Sequence, residues 1–374
     1  MRHTLCTDDR TRPASQSTDS AGPGCKPSGM LVSVTVVMPI RNEVAFIRRS
    51  LGALLDQDYP MDLMEIVIAD GKSQDGTREV VREYMARHPN LRLIDNPGRI
   101  VPTGLNRAIR QAKGDVIVRV DGHTVVARDY VSQCVALLRR SGADNVGGAM
   151  RPEGQGRFGR AVAAATNSPF GVGDARFHYS EEEEWVDTVY MGAWPRALFD
   201  QIGLFDEEMV RDQDDEYNYR LRKQGGRVLL AADVRAKYFS RSSLRSLWRQ
   251  YFQYGYWKVR VVQKHPREVR LRQLAPPVFT AALCGSLFVA CVAPQAVLAW
   301  GAVPLTYAVA CITASITTAR RAGWSILLLL PPTFAILHVS YGLGFLFGLA
   351  RFAARWGSSR ASQPSPTTDE GPTA

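Results

Sequence analysis

Apolar positions come in short bursts from residue 30 to about residue 240, and then almost without interruption from Leu274 to Ala350. In the first region, LVSVTVVMPI (31–40) is dominated by β-branched residues, which favour a strand. Phe46 to Leu55 carries apolar residues at helical spacing. MEIVIAD forms a second buried strand ending at Asp70, and a polar loop, 71–77, leads into a helix from Arg78 to His88. LRLID is a third strand, a helix follows around Leu105 to Ala112, and Asp115 to Val120 is a fourth strand with Asp121 at its tip. Strand–helix alternation in units of roughly thirty residues predicts an α/β domain with a parallel, nucleotide-binding sheet and ligands at the strands' carboxyl ends. A dinucleotide-binding fold needs a glycine-rich turn after its first strand, so that the backbone can approach a pyrophosphate. Here Pro39-Ile40-Arg41-Asn42-Glu43 contains no glycine, and Gly171-Val172-Gly173 is a fragment without that context. Hydride transfer is therefore disfavoured.

The apolar region divides at its punctuation into Pro276–Val292, Ala296–Thr317 and Ser325–Leu349, the last interrupted by Pro331-Pro332. Each is long enough for a bilayer crossing. The domains expected are a disordered leader (1–29), a catalytic α/β domain (30–240), a basic interfacial region (241–273), transmembrane segments (274–350) and a disordered tail (351–374). The leader is rich in Ser, Thr, Pro and Gly, with little to bury and no apolar core of signal-peptide length. Met30, directly before the first strand, is an alternative start. For the last span, the proline pair suggests a segment that dips into the membrane and returns, leaving the tail cytoplasmic.

Charge sharpens the picture. The formal net charge is +10, and Arg235 to Arg272 holds eleven Lys/Arg against one acid, Glu268. Directly before an apolar span, such a run reads as a cytoplasmic collar facing anionic lipid. Nucleic-acid binding is the rival reading, and no nucleic-acid partner is expected. Within the run, Leu244, Leu247, Trp248, Tyr251, Phe252, Gly255 and Val259 fall at helical spacing, with Arg245, Arg249 and Lys258 off the stripe. This predicts an amphipathic helix in the membrane interface, with an ordinary helix packed on the domain as the alternative. His338 is polar inside an apolar span and is a functional candidate on that ground. The six cysteines show no metal-ligand spacing and are expected to be free thiols.

Four motifs carry the chemistry: VVMPIRNE, IADGKSQDGT, VIVRVDGH and RDQDDEYNYRLRKQGG. In order and spacing they resemble the family 2 glycosyltransferases with a GT-A fold, a Rossmann-like mixed sheet that binds nucleotide-diphospho-sugars. With the apolar C-terminal helices they look most like the exopolysaccharide glucosyltransferases of the succinoglycan type. The likeness runs from about Val32 to Trp257. It implies that Asp70 hydrogen-bonds the nucleotide base, with Pro39, Arg41 and Glu43 lining the same pocket. Asp75, before a helix, reads instead as a cap. Arg99 is a candidate for the base or the diphosphate, with an ordinary surface arginine as the alternative.

Asp121 and His123 occupy the family's Asp-x-Asp position. Strand alternation lets residues at i and i+2 point at one metal, and Gly122 between them is expected to let the donor's phosphates approach. The imidazole departs from the usual carboxylate; it remains a good ligand for Mn²⁺ and argues against an all-oxygen Mg²⁺ site, so the expected cofactor is a divalent ion, Mn²⁺ or Mg²⁺. Counting back from Arg220, the resemblance places the catalytic base on Asp214, with Gln213 replacing the usual acid before it. Asp215 and Glu216 remain alternatives, or simply an acidic helix start favoured by the dipole. Gly192 and Trp194, in VYMGAW, align with an acceptor-binding motif, an aromatic face being suited to a pyranose; a buried core tryptophan is the competing reading. Gln253 and Trp257, in QYGYW, align with the Gln-x-x-Arg-Trp signature of processive synthases, with Tyr256 replacing the arginine. The Glu181–Glu184 run is read as a solvated face without chemistry.

The resemblance thus implies a metal-dependent, inverting hexosyltransferase on the cytoplasmic face of the inner membrane. Its donor is expected to be a UDP-sugar and its acceptor a polyprenyl-diphosphate-linked sugar in polysaccharide assembly. Two alternatives stand beside it: a processive polysaccharide synthase, and a catalytically dead, sugar-nucleotide-binding membrane scaffold.

Overall fold

The computed structural model describes residues 31–239 and 243–356; the leader, Met30 and the tail beyond 356 lie outside the described residues. The expected alternation holds from the start: β1 (Val34–Ile40), α1 (Ile47–Leu55), β2 (Met64–Asp70), α2 (Thr77–Met85), β3 (Leu91–Asp95), α3 (Val101–Arg110), β4 (Val116–Arg119). There follow β5 (Thr124–Val126), α4 (Tyr130–Ser141), β6 (Asn145–Glu153), α5 (Gly156–Thr166), α6 (Pro169–Val172), β7 (Glu184–Val186), β8 (Tyr190–Pro195), α7 (Ala197–Ile202), α8 (Gln213–Lys223) and β9 (Val228–Phe239).

The sheet runs β3-β2-β1-β4-β8-β6-β9-β5, with β7 paired to β9. Its first four strands are parallel. The sheet becomes mixed at β8, which is antiparallel to both β4 and β6. The parallel strands are apolar along their whole length because both faces are covered. Val34, Val36, Met38 and Ile40 face one core, while Val37 faces a second with Val67, Leu105 and Ile117. Beyond a register break at Gly148–Met150, β9 pairs with β5 so that Tyr238 lies opposite Thr124. The Asp121–His123 turn between β4 and β5 is thereby held against the far edge of the sheet.

Four long helices complete the chain: α9 (Leu244–Lys264), α10 (Leu271–Val292), α11 (Val297–Ala322) and α12 (Leu330–Arg351). Three segments, 271–292, 300–322 and 324–351, are long and apolar enough to cross a membrane. Pro331 and Pro332 do not interrupt the last one. They stand in the first turn of α12, where the backbone N–H groups have no helical partner to lose. The expected dip and return is absent, and Leu330 to Arg351 is one continuous helix.

Helix α12 lies against the sheet domain along its length. Near its start, Ile326, Leu330 and Phe334 pack with Ala161, Val162 and Ala165 of α5. Halfway along, His338 donates to the carbonyl oxygen of Phe170 (2.8 Å) and bonds the Tyr307 hydroxyl (2.9 Å), partners that the sequence did not reveal. At its end, Gln263 of α9 donates to the Phe352 carbonyl at 2.9 Å and Arg355 pairs with Glu208 at 2.5 Å. Between these points α9 and α12 touch backbone to backbone. A Cβ on Gly255 would strike the Tyr341 carbonyl, one on Gly344 the Phe252 carbonyl, and one on Gly348 the Tyr256 carbonyl.

The basic run divides: Lys258, Arg260 and Arg272 are turned inward, while Arg235, Lys237, Arg245, Arg249, Arg267 and Arg270 are exposed. Arg235, Lys237, Lys258, Arg260, Lys264, Arg270 and Arg272 all form ion pairs with acidic residues from elsewhere in the chain. The helical stripe needs revision: Leu244 and Trp248 are exposed, while Lys258 is buried. Lys258 stands seven residues after Tyr251, two helical turns on, and so belongs to the same face. Cys134 and Cys311 are buried free thiols, and Cys284 and Cys291 are exposed ones.

Candidate active site

A cavity of about 1220 Å³ opens at the carboxyl ends of the parallel strands and continues between the apolar helices. Pro39, Arg41, Glu43, Arg99, Asp121 and His123 line its polar arm, and Asp212, Asp214 and Asp215 line its middle. Phe279, Tyr307, Leu337, His338 and Tyr341 line its apolar arm. Three residues at the polar arm and the middle, Asn42, Arg99 and Asp212, hold left-handed backbone conformations (φ 56°, 59° and 58°). Strain of that kind in residues other than glycine accumulates where function demands an unusual turn.

At the polar arm, Arg41 donates to the Arg99 carbonyl (3.4 Å), so the two arginines that flank Pro39 are coupled. Asp70 does not reach the cavity. It is fully buried beneath it, accepting from the Ser73 amide (3.1 Å) and pairing with Arg78 at 2.9 Å. It ties down the loop after β2 and is not among the residues that line the cavity, so no contact from it to a base is seen here. Asp75 is not the N-cap of α2, which is Gly76; from one residue earlier it accepts from the Thr77 amide at 3.1 Å and the Val44 amide at 3.1 Å, a structural part rather than a ligand contact.

The Nδ1–H of His123 donates to Glu43 Oε1 at 3.0 Å. A proton held there leaves the Nε2 lone pair for a metal, the usual arrangement behind a ligating histidine. Gly122 serves this contact: a Cβ would sit 2.8 Å from Ile40 and 3.2 Å from Glu43, so the space is filled by protein and is not open to a phosphate. Both Asp121 oxygens accept from Arg119, at 2.8 and 3.2 Å, yet a carboxylate retains lone pairs for an ion. No cluster of three or more His, Cys, Asp or Glu suited to a metal occurs among the described residues. One carboxylate and one oriented imidazole fit a divalent ion whose remaining ligands arrive with a diphosphate.

Sequence reasoning missed Arg119. It is buried, and its second arm pairs with Asp214 of α8. The available signal was a charge in the otherwise apolar VIVRV strand, two residues before Asp121 and so on the same side. Burial would lower the Arg119 pKa, but Asp121 and Asp214 outweigh it and hold the cation. Asp214 is raised to about 6, by burial above all; Arg119 opposes the shift, and Asp121 and Asp215 add to it.

Beside Asp214 lies a second buried network. Lys258 of α9 pairs with Asp215 and, at 3.2 Å, with Asp212. Burial alone would raise Asp215, but Lys258 reverses the sign and its pKa is lowered. Burial raises Asp212 despite the pull of Lys258. Glu216 faces away, bound to Arg220 at 3.0 Å and His265 at 3.2 Å. The dipole reading suits Glu216, and Asp214 is left as the carboxylate at the cavity free of a lysine.

The expected acceptor residues are displaced. Trp194 is buried in an aromatic core with Phe199, Phe205 and Tyr217, and Gly192 packs against its ring, so neither forms a platform. Thr188, Val189 and Tyr190 face the cavity instead. Trp257 packs on Tyr256 and Phe352, and Gln253 accepts from Arg211 Nε at 3.2 Å. From α9 the cavity is lined by Leu247, Gln250, Tyr251, Tyr254 and Lys258.

Residues 35–202 match the family described as Glycosyl transferase family 2. The succinoglycan biosynthesis protein ExoA of Rhizobium meliloti is 32% identical over 74% of this chain and 85% of its own length. The chain belongs to glycosyltransferase family 2. Another relative, from Methanococcus voltae, is a dolichyl N-acetyl-alpha-D-glucosaminyl phosphate 3-beta-D-2,3-diacetamido-2,3-dideoxy-beta-D-glucuronosyltransferase, 26% identical over 62% of this chain and 74% of its own. Among solved structures, the mannosyltransferase PcManGT from Pyrobaculum calidifontis, in complex with GDP-Man and Mn²⁺, has the same fold. It superimposes with a TM-score of 0.54 at 22% identity, covering 84% of this chain and 87% of that one.

Proposed function

We propose that this glycosyltransferase moves a hexose from a UDP-sugar onto a polyprenyl-diphosphate-linked sugar, with inversion, during polysaccharide assembly at the inner face of the cytoplasmic membrane. The observation that carries this reading is the single cavity joining the strand-end pocket, Asp214 and the apolar arm between α10, α11 and α12. A soluble acceptor would have no use for an apolar arm; an isoprenoid tail fills it. The names of the relatives support the acceptor class: one belongs to succinoglycan biosynthesis and another acts on a dolichyl phosphate-linked sugar.

In this reading the nucleotide lies along Pro39, Arg41, Glu43 and Arg99. Asp214 takes the proton from the acceptor hydroxyl as it attacks the anomeric carbon from the face opposite the diphosphate. A carboxylate with a pKa of about 6 is mostly ionised at pH 7 and still basic enough to work. Arg119 fixes its position. A divalent ion held by Asp121 and His123 would offset the charge that accumulates on the departing diphosphate.

Membranes carrying the full chain, incubated with a panel of labelled nucleotide sugars, test this. One donor is expected to label the lipid extract. Label that appears only in water-soluble product, or in long polymer from the purified chain alone, would replace the reading with a soluble acceptor or a processive synthase.

A further inference from the structure

Six arginines and lysines line the cavity, and their partners separate them. Arg119, Lys258 and Arg272 are each neutralised by two carboxylates. Arg41 and Arg99 lie together at the nucleotide arm. Arg211 belongs to neither set. No carboxylate of the described residues forms an ion pair with it, and its neighbour Asp212 is turned to Lys258. Its Nε donates to Gln253 Oε1 of α9 at 3.2 Å. That bond fixes the plane of the guanidinium and leaves the Nη edge for an oxyanion, which it suits as a fork. The left-handed turn at Asp212 separates Arg211 from α8, and Gln253 draws it toward the helix whose Gln250, Tyr251 and Tyr254 continue the cavity wall. Partly buried in the cavity wall and without an ion pair among the described residues, this cation is open to an anionic ligand.

We infer that Arg211, positioned by Gln253, holds the phosphate or diphosphate of the lipid-linked acceptor, so that the acceptor is recognised by its anionic head as well as its tail. This rests on the lipid-linked acceptor of the proposed function. It also gives Gln253 a role: it orients the arginine and does not touch the sugar.

Binding to the full chain in detergent, with decaprenyl diphosphate, decaprenol and UDP as probes, tests the inference. The wild type is expected to bind the diphosphate at least tenfold more tightly than the alcohol. Arg211→Met should abolish that preference, Gln253→Leu should reduce it, and Arg211→Lys should retain part of it. UDP affinity should stay within twofold in all three variants, which also reports that they fold. A diphosphate preference that survives in Arg211→Met overturns the inference, because the anion is then held elsewhere. A parallel loss of UDP affinity overturns it in favour of the donor's diphosphate. If the wild type itself does not distinguish diphosphate from alcohol while binding UDP, the lipid-linked acceptor fails, and this inference with it.

Discussion

Arg119, at the end of β4, pairs with Asp214, at the start of α8, across a sequence separation of 95 residues. The contact joins the proposed metal-binding turn to the proposed base through one buried side chain. Arg119 lowers the Asp214 pKa, against burial, which holds it at about 6. The base works only when deprotonated, so kcat/KM should rise with pH through about 6 and then level. Arg119→Met removes the lowering influence. The acid limb should therefore move to higher pH, with a loss of turnover at pH 7 that is partly regained at pH 8. A pH profile whose acid limb stays in place would show that Arg119 does not tune this carboxylate.

The pairing of His123 with Glu43 predicts a metal requirement of a particular kind. EDTA should abolish transfer, and Mn²⁺ should restore it at least as well as Mg²⁺, since imidazole suits the softer ion. His123→Asp should shift the preference toward Mg²⁺. Undiminished activity in EDTA would remove the metal from the account.

The close approach of α9 to α12 makes a stability prediction. Gly344→Leu inserts a side chain where the Phe252 carbonyl already sits, and overpacking of this sort costs roughly 1–3 kcal/mol. The thermal midpoint of the purified chain should fall, whereas Gly285→Leu, with open space around it, should leave it unchanged. Equal midpoints for the two variants would mean that the helices do not pack as described.

Much of this was legible in the sequence, for identifiable reasons. The parallel strands were clear because burial on both faces leaves unbroken apolar runs such as MEIVIAD. Asp121, His123 and Asp214 line one cavity, and each belongs to a motif of fixed spacing that marked it as a candidate. Asp70 and Trp194 were misplaced because a motif gives a residue's neighbourhood but not its exposure, and both are buried. Arg119, Arg211 and Lys258 were missed because their meaning lies in partners far along the chain, or in the lack of one. Arg119 belongs with Asp214, Lys258 with Asp215, and Arg211 with no carboxylate among the described residues.

Helix α12 also bears on topology. The sheet domain meets it at its start through Arg157, which donates to the Ser325 carbonyl at 2.6 Å, and at its end through Glu208, which pairs with Arg355. A helix whose two ends are both tied to the sheet domain is not expected to carry the chain across a bilayer away from that domain. The tail should therefore stay on the domain's side, as the proline pair suggested for a different reason. A reporter fused after Ala374 should be active only in the cytoplasm; a periplasmic phosphatase signal from that fusion would mean three crossings.

The identity of the base bears most directly on the account. With labelled donor and lipid extraction as the readout, Asp214→Asn should lower turnover by about two to four orders of magnitude, the usual worth of general base catalysis, while nucleotide binding persists. Asp215→Asn, whose carboxylate is engaged by Lys258, should retain far more activity. An active Asp214→Asn enzyme beside an inactive Asp215→Asn one would contradict the assignment.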